Sequence, residues 1–199
     1  MTPVIRAVRP DDVVPLAASQ ARAFFDDPLQ VWALPDDSTR LDVLTRLFEL
    51  MIRVVSVPLG ASYTDDTRSV AALWAPPGQW MVEGHAAGEL SGMATIVGSG
   101  LARMRQCWET MAAVHPVAAH FYLSGLGTDP PCQGQGLGSA ALAPVLTRCD
   151  EEGIPAYLES SKERNIGFYE RHGFVLTDTL VVPPDGPSLW TMWREPQRS

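Results

Sequence analysis

The segment Asp129-Pro130-Pro131-Cys132-Gln133-Gly134-Gln135-Gly136-Leu137-Gly138-Ser139 decides the fold, because it is a glycine-rich loop between two elements of different kinds. The apolar run 118–128 before it predicts a strand, and the run 137–152 after it predicts a helix that ends at Gly153. Glycines at alternate positions let the backbone turn sharply and approach a ligand closely. The first N–H groups of the following helix lack partners and lie at the positive end of its dipole, where phosphate groups bind. We therefore expect a phosphate-binding loop here.

Two common nucleotide-binding loops fit this spacing poorly. A Walker loop ends in Gly-Lys-Ser/Thr, and Gly138-Ser139 contains no lysine. A dinucleotide fingerprint reads G-x-G-x-x-G, whereas the glycines at 134, 136 and 138 are spaced G-x-G-x-G. Glu159 lies about twenty residues past these glycines, where a ribose-binding acid would stand. Only about forty residues follow Glu159, too few for the further strand-helix units of that fold. The dinucleotide interpretation is therefore disfavoured but stays open.

The rest of the chain shows strand and helix patterns within one predicted domain, residues 1–199. Alternating or continuous apolar residues predict strands at 4–8, 61–64, 69–75, 156–160, 174–182 and 188–194. Apolar residues at helical spacing predict helices over 13–25, 38–55 and 162–171, the second of them capped by Ser38. Residues 80–115 have an irregular but mostly helical pattern, and we expect this insertion to wall a substrate pocket.

The composition excludes several classes of partner. The 199 residues are 46% hydrophobic and carry a formal net charge of −8, and the basic stripe that nucleic acid requires is missing. No apolar run reaches the length of a membrane span, and residues 1–12 lack the apolar core of a signal peptide. We therefore expect a cytoplasmic protein without membrane contact. The three cysteines have neither paired nor zinc-ligand spacing, so we expect no disulfide framework and no metal site.

A resemblance to a known family gives the loop a more specific meaning. Gln133-Gly134-Gln135-Gly136-Leu137-Gly138 resembles the Q/R-x-x-G-x-G/A pyrophosphate loop of the GNAT acyltransferase superfamily, and Asn165–Phe174 is similar to that family's N-x-x-x-Y-x-x-x-G-F segment. Further stretches (9–13, 154–160 and 164–171) resemble family members that acetylate aminonucleoside antibiotics. The resemblance implies an α/β fold with a mixed, mostly antiparallel central sheet of about seven strands, which is flanked by helices and splayed at the acetyl-CoA site.

The same resemblance implies how acetyl-CoA binds. The pantetheine arm adds to the exposed edge of 125–128 like an extra strand, the pyrophosphate lies on 133–139, and Asn165 holds the arm from the other side. The cofactor-binding residues that it implies are Leu126, Gly127, Thr128, Gln133, Gly134, Gln135, Gly136, Leu137, Gly138, Ser139, Asn165 and Phe168. Acetyl-CoA is a co-substrate in this reaction, and the family chemistry uses no metal ion.

Acyl transfer to an amine needs a base for the amine, donors for the thioester oxygen and an acid for the departing thiolate. The family pattern places Tyr169 as the acid, although buried tyrosines more often only pack in a core. Glu159, on the short strand beside the cofactor strand, is the candidate base; the alternative is a strand-end carboxylate that faces water. A backbone N–H within 126–128 would polarise the thioester oxygen. His115 and His120 are interpreted as a loop residue and a strand residue rather than as catalysts.

The sequence specifies the acyl donor more closely than the acceptor. The acidic segment Phe25-Asp26-Asp27, together with Glu159, suits a cationic amine. The leading hypothesis is therefore an N-acetyltransferase that modifies a primary amine of a small molecule, antibiotics included, in a ternary complex and as a monomer or homodimer. A protein or peptide N-acetyltransferase and a catalytically silent acyl-CoA-binding module are the alternatives. The pocket predicted to be covered by 80–115 favours a small acceptor, and the presence of Tyr169 disfavours a silent module.

Overall fold

A seven-stranded sheet in the order β1-β2-β3-β4-β5-β7-β6 runs through the protein. The structure, a computed structural model, describes residues 4–79 and 92–197. Its strands are β1 (Ile5–Ala7), β2 (Tyr63–Asp65), β3 (Val70–Ala75), β4 (Phe121–Thr128), β5 (Ala156–Ser160), β6 (Val175–Val181) and β7 (Ser188–Arg194). Every neighbouring pair is antiparallel except β4 and β5, which are parallel. The predicted mixed, mostly antiparallel sheet is therefore confirmed.

Helices flank this sheet on both faces. They are α1 (Val13–Ala23), α2 (Pro28–Ala33), α3 (Asp37–Met51), α4 (Met93–Val97), α5 (Leu101–Val114), α6 (Leu137–Glu152) and α7 (Ile166–Glu170). α3 continues through a π-helical stretch, Ile52–Ser56, and a last α-helical turn, Val57–Leu59. Gly60 then ends the helix in the left-handed conformation, with φ at +64°. Within the parts of the chain that the structure describes, no helix is long and apolar enough to cross a membrane.

β3 connects the two hydrophobic layers that cover the sheet. All six of its residues are buried, and its alternate side chains point to opposite faces. Trp74 belongs to the core beneath α6, with Leu142 of that helix, whereas Leu73 belongs to the core beneath α1, with Leu16. Each fully buried side chain of this size stabilises the fold by about 1.5–3 kcal/mol. The two layers thereby fix the position of β4, which is the next strand of the sheet.

The sheet opens between β4 and β5. The two strands are paired only where Phe121–Leu123 lies beside Ala156–Leu158. Beyond that point β4 continues against β3 as far as Thr128, while β5 continues against β7 as far as Ser160. A register shift between Leu73 and Trp74 adds a bulge in β4 at the same place, and bulges bend the strand that carries them. The splay that the family resemblance implied is therefore present in the sheet.

Several local expectations are corrected by the structure. α2 was not predicted; it forms because the Asp27 side chain caps it by accepting a hydrogen bond from Leu29 N at 3.0 Å, with Pro28 at the first helical position. The cap of α3 is Asp36 rather than Ser38, whose backbone N–H donates to the Asp36 side chain. Of the predicted insertion, residues 80–91 lie outside the described residues, and 92–115 is mostly helical.

Candidate active site

A cavity of about 1300 Å³ begins where β4 and β5 part. Its wall is formed by β4 and the glycine loop on one side and by β5 and α7 on the other. The loop between α1 and α2 closes one end together with α5. One continuous space therefore joins the splayed strand edge, the start of α6 and the interior behind β5.

The open edge of β4 carries backbone groups that another strand could use. Asp129 N donates to Ser69 O at 2.7 Å, and Gly127 lies opposite Ala71, so residues 127 and 129 direct their N–H and C=O groups toward β3. Because these directions alternate along a strand, Leu126 directs its N–H and C=O groups toward the cavity. Thr128 does the same, and its carbonyl oxygen accepts a hydrogen bond from Gln133 Nε2 at 3.1 Å. An extended ligand could therefore pair with Leu126.

The glycine loop brings the start of α6 to the same cavity. Gly134 and Gly136 have φ values of +73° and +79°, a region that side chains other than glycine seldom adopt. α6 begins directly after Gly136, so the N–H groups of its first turn have no partner within the helix. Gly138 also faces Phe168, because a Cβ added there would lie 3.4 Å from the Phe168 ring. These features fit a bound pyrophosphate.

The structure brings the predicted cofactor residues together with one exception. Those that line the cavity are Leu126, Gly127, Thr128, Gln133, Gly134, Gly136, Leu137, Gly138, Ser139, Asn165 and Phe168. The exception is Gln135, whose side chain turns back toward Pro131 O, 3.4 Å from its Nε2. Four basic residues that the sequence analysis did not name line the cavity as well: Arg105, Lys162, Arg164 and Arg171. The last three lie within six residues of Asn165 in the chain, and this proximity could have indicated them. Their charge suits a phosphate-bearing ligand.

Gln20 of α1 holds the cofactor strand from behind. It is completely buried, and its Nε2 donates to Gly127 O at 3.1 Å. A Cβ at Gly127 would lie only 2.3 Å from Gln20 Oε1 and 2.8 Å from the Phe24 ring, so only glycine fits there. No sequence motif marks Gln20, because it contacts a residue 107 positions away.

Glu159 lies at the cavity wall, deep inside the protein. Its side chain is only 3% exposed, so the alternative of a carboxylate facing water is wrong. Burial raises the pKa of this carboxyl to about 7, against the smaller opposing effect of the Tyr122 and Tyr157 hydroxyl groups. Glu159 Oε1 and the Tyr157 hydroxyl nevertheless have no hydrogen-bond partner of normal geometry within 4–79 and 92–197. A buried carboxyl group in this state is well suited to accept a proton near neutral pH.

His115 lies next to Glu159, and His120 lies on the far side of His115. His115 Nδ1 is 4.0 Å from Glu159 Oε1, and its side chain is 2% exposed. The two imidazoles approach each other with 3.1 Å between their Nε2 atoms. His120 precedes β4 instead of lying within it, and its Nδ1 is 2.6 Å from Ala118 O. Burial lowers the pKa of both rings, that of His115 to about 4.

Tyr169 combines the two roles that the sequence analysis weighed. It packs against Phe168 and Phe174, with ring centres 5.2 and 5.9 Å away, and it also lines the cavity on the side of β5 and α7. Burial raises the pKa of its hydroxyl well above the usual value, and the nearby Asp27 raises it further. The hydroxyl is therefore protonated at neutral pH and can donate.

Only one of the three predicted acceptor residues reaches the cavity. Asp27 lines it and is 4% exposed, and burial raises the pKa of its carboxyl. Phe25 instead packs under the Arg40 guanidinium, whose central carbon is 5.0 Å from the ring centre. Asp26 pairs with Lys162, with 2.6 Å between Oδ1 and Nζ. Phe25 and Asp26 are therefore not part of the cavity wall, because the cap of α2 turns only Asp27 inward.

The described residues were also compared with the side-chain clusters that bind metal ions. Among residues 4–79 and 92–197, no group of three or more histidine, cysteine, aspartate or glutamate side chains could hold a metal ion. Cys107 and Cys149 are buried, and burial raises the pKa of each thiol, to about 11 and about 12. Neither thiol is therefore ionised near neutral pH.

The family is shown by comparison with known sequences. The sequence model of the acetyltransferase (GNAT) family matches residues 47–174, which include the open strand, the glycine loop, Glu159 and Tyr169. The chain belongs to this family and is an N-acetyltransferase. GNAT enzymes in general use acetyl-CoA as the acyl donor, and the strand edge and the glycine loop fit that co-substrate.

Relatives of known sequence or structure extend the match over nearly the whole chain. An uncharacterized N-acetyltransferase of Schizosaccharomyces pombe is 27% identical in an alignment 215 positions long, gaps included, which covers 96% of this chain and 83% of that protein. The Corynebacterium glutamicum structure of a "histone acetyltransferase HPA2 and related acetyltransferase" has a TM-score of 0.77 at 25% identity and covers 100% of this chain and 99% of that one. Arylalkylamine N-acetyltransferase 2 of Aedes aegypti, with a TM-score of 0.64 at 12% identity and a coverage of 99% and 100%, shares the fold.

Proposed function

We propose that this enzyme transfers the acetyl group of acetyl-CoA to a primary amine of a small cationic molecule, by direct attack in a ternary complex. One observation carries the proposal: the buried Glu159 carboxyl, with its raised pKa of about 7, lies on the same cavity as the open edge of β4. A base and a donor site that share one enclosed space are what direct transfer requires.

Glu159 acts on the acceptor. An alkylammonium group has a pKa of about 10.4, so it must lose a proton before its nitrogen can attack. Glu159 in its ionised form takes this proton, directly or through one water molecule. The raised pKa makes Glu159 a stronger base than an exposed glutamate, while it is still largely ionised a little above pH 7.

Leu126 and Tyr169 act on the donor side. The Leu126 N–H at the open edge donates to the thioester oxygen and stabilises the negative charge that develops there. The Tyr169 hydroxyl donates its proton to the departing thiolate. The pKa of a thiol is about 8.5 and that of a free phenol about 10, and burial raises the pKa of Tyr169 further. This proton transfer is therefore uphill and depends on close placement.

Three features support a small cationic acceptor. Asp27 and Glu159 are buried acids on one cavity, and the formal net charge is −8. α5 covers the acceptor end, which leaves less room for a protein segment. The sequence also resembles puromycin N-acetyltransferase at 154–160 and 164–171, but this chain has Asp27 in the segment 24–28, within which that enzyme carries a tyrosine. We therefore propose an acceptor that places a positive charge near Asp27, and count aminonucleosides among the candidates.

An acceptor screen tests the proposal. Release of free thiol from acetyl-CoA is followed with monoamines, diamines, polyamines, an aminonucleoside and lysine-containing peptides. We expect turnover with small amines and a preference for those that carry a second positive charge. Turnover with peptides alone would contradict the proposed acceptor class. Thermal stabilisation by NAD but not by CoA would contradict the donor site.

A further inference from the structure

Ala118 O, His120 and His115 form a hydrogen-bonded chain, and the far end of this chain faces the carboxyl group of Glu159 from beyond hydrogen-bond distance. His120 Nδ1 is 2.6 Å from Ala118 O, His120 Nε2 is 3.1 Å from His115 Nε2, and His115 Nδ1 is 4.0 Å from Glu159 Oε1. His120 is 4% exposed. Its ring also contacts Tyr157 and Trp193, with ring centres 5.5 and 5.6 Å apart. The orientation of both imidazoles is therefore fixed by packing.

The hydrogen bonds of this chain specify which nitrogen of each ring carries a proton. A carbonyl oxygen can only accept, so the proton between His120 Nδ1 and Ala118 O belongs to His120. His120 Nε2 in the neutral ring is then an acceptor, and His115 Nε2 must be the donor. A neutral His115 consequently has no proton on Nδ1, the nitrogen that faces Glu159. Burial keeps both rings neutral near pH 7.

We infer that His120 is a positioning residue for the base: it fixes the tautomer of His115, so that His115 turns an unprotonated nitrogen and not an N–H toward Glu159. This inference rests on the proposed role of Glu159 as the base. His120 itself does not line the cavity, so it acts on the reaction only through a neighbour: His115, which lines the cavity, or Tyr157, whose ring it contacts. The proposed route is the one through His115.

The tautomer matters because a hydrogen-bond donor stabilises a carboxylate and weakens it as a base. Among residues 4–79 and 92–197, the other titratable groups that act on Glu159 are Tyr122 from β4 and Tyr157 from its own strand, and β7 places Thr191 opposite it. Asp178 of β6 acts on Tyr157. An imidazole N–H on the His115 side would act in the same direction as the two phenol hydroxyls, which lower the pKa of Glu159. The histidine chain prevents this, so Glu159 keeps the basicity that deprotonation of an amine needs.

The tautomers can be measured without any turnover. Nitrogen-15 NMR of histidine-labelled wild-type protein at pH 7.5 reports the protonation of each ring nitrogen. We expect the proton of His120 on Nδ1 and that of His115 on Nε2. A proton on Nδ1 of His115, or a charged His115 at this pH, would overturn the inference. This measurement needs no variant and no acceptor, so it stands even if the proposed function fails.

A pair of variants then tests the link to Glu159. The substitution His120→Phe keeps a ring against Tyr157 and Trp193 but releases His115, which can then donate from Nδ1. We expect the Glu159 carboxyl, followed by carbon-13 NMR, to titrate about one pH unit lower, and the acidic limb of kcat/KM to move with it. In the His115→Phe background, adding His120→Phe should shift neither quantity. Equal shifts in both backgrounds would show a general structural effect of His120 and would overturn the inference.

Discussion

Asp27 and Ser161 join two loops at the acceptor end of the cavity: Ser161 Oγ donates to Asp27 Oδ2 at 2.5 Å. Asp27 caps α2, and Ser161 follows Glu159 by two residues, just past the end of β5. Both residues line the cavity. The bond therefore holds a second buried carboxyl group on the wall of the cavity that the proposed base lines, on the side that we propose for the acceptor.

Asp27 should determine which amines the enzyme prefers. The substitution Asp27→Asn keeps an oxygen to cap α2 but removes the charge. We expect KM for acceptors with a second positive charge to rise about tenfold, equivalent to about 1.4 kcal/mol, and KM for simple monoamines to change little. Steady-state kinetics on matched amine pairs measure this. Ser161→Ala is the control, because it removes the bond and leaves the carboxyl. A uniform effect on all acceptors would refute a charge-recognition role.

Glu159 should control the pH dependence of the reaction. In the wild type, kcat/KM should rise with pH through about 7, as the carboxyl loses its proton. Glu159→Gln should lower kcat/KM at pH 7.5 by about 10²–10⁴-fold and remove this acidic limb, with KM for acetyl-CoA unchanged. A pH–rate profile of both proteins checks the expectation. If the variant kept the limb near pH 7, another group would be the base.

The same residue should reduce stability at alkaline pH. The pKa of Glu159 is about 7 in the folded protein and about 4.3 in an unfolded chain, so the folded state binds this proton more tightly. The stability that it contributes is complete below about pH 4.3 and is lost as pH rises through about 7. Urea unfolding should therefore show Glu159→Gln to be more stable than wild type at pH 8, by up to about 3 kcal/mol, with a smaller difference at pH 5. Glu151 is exposed, so the control substitution Glu151→Gln should show no such pH-dependent gain in stability.

Tyr169 should affect the chemical step rather than binding. Tyr169→Phe keeps the ring between Phe168 and Phe174 but removes the hydroxyl. We expect kcat to fall by about 10²-fold, with KM for acetyl-CoA within about twofold of wild type. Tyr63→Phe, on β2 and away from the cavity, is the matched control. Normal turnover in Tyr169→Phe would mean that another group protonates the leaving thiolate.

Gly138 should matter for the donor alone. A Cβ at this position would lie 3.4 Å from the Phe168 ring, at the first turn of α6. We expect Gly138→Ala to raise KM for acetyl-CoA about tenfold and to leave kcat at saturation nearly unchanged. Gly153→Ala, at the other end of α6, has open space around the added methyl group but a φ of +68°. It should lower stability by about 1 kcal/mol without changing KM. An equal change of KM in both variants would point to α6 stability instead of donor contact.

Sequence patterns predicted the parts of this protein that a short segment determines. The strand, the glycine loop and the helix of 121–152 were predicted closely, because their spacing depends on local backbone geometry. Tyr169 was found by its position in a motif, and it lines the cavity. The ends of β5 and β7 were predicted to the residue.

Contacts between distant segments could not be predicted in this way. Gln20 reaches Gly127 across 107 positions, and nothing in its own neighbourhood marks it. His115 is a loop residue, as predicted, but its proximity to Glu159 was not foreseen, since a sequence does not tell which loop folds over a particular carboxyl group. The direction of side chains within 25–27 was also missed. It depends on the cap of α2, which turns one residue inward and leaves its neighbours on other partners.

The short pairing of β4 with β5 means that the sheet is nearly two sheets. Three residues on each strand join a four-stranded half to a three-stranded half. The proposed donor site lies across this seam, because Leu126 belongs to the first half and α7 and the loop after β5 adjoin the second. A donor bound as proposed would therefore join the two halves of the sheet as well as supply the acyl group.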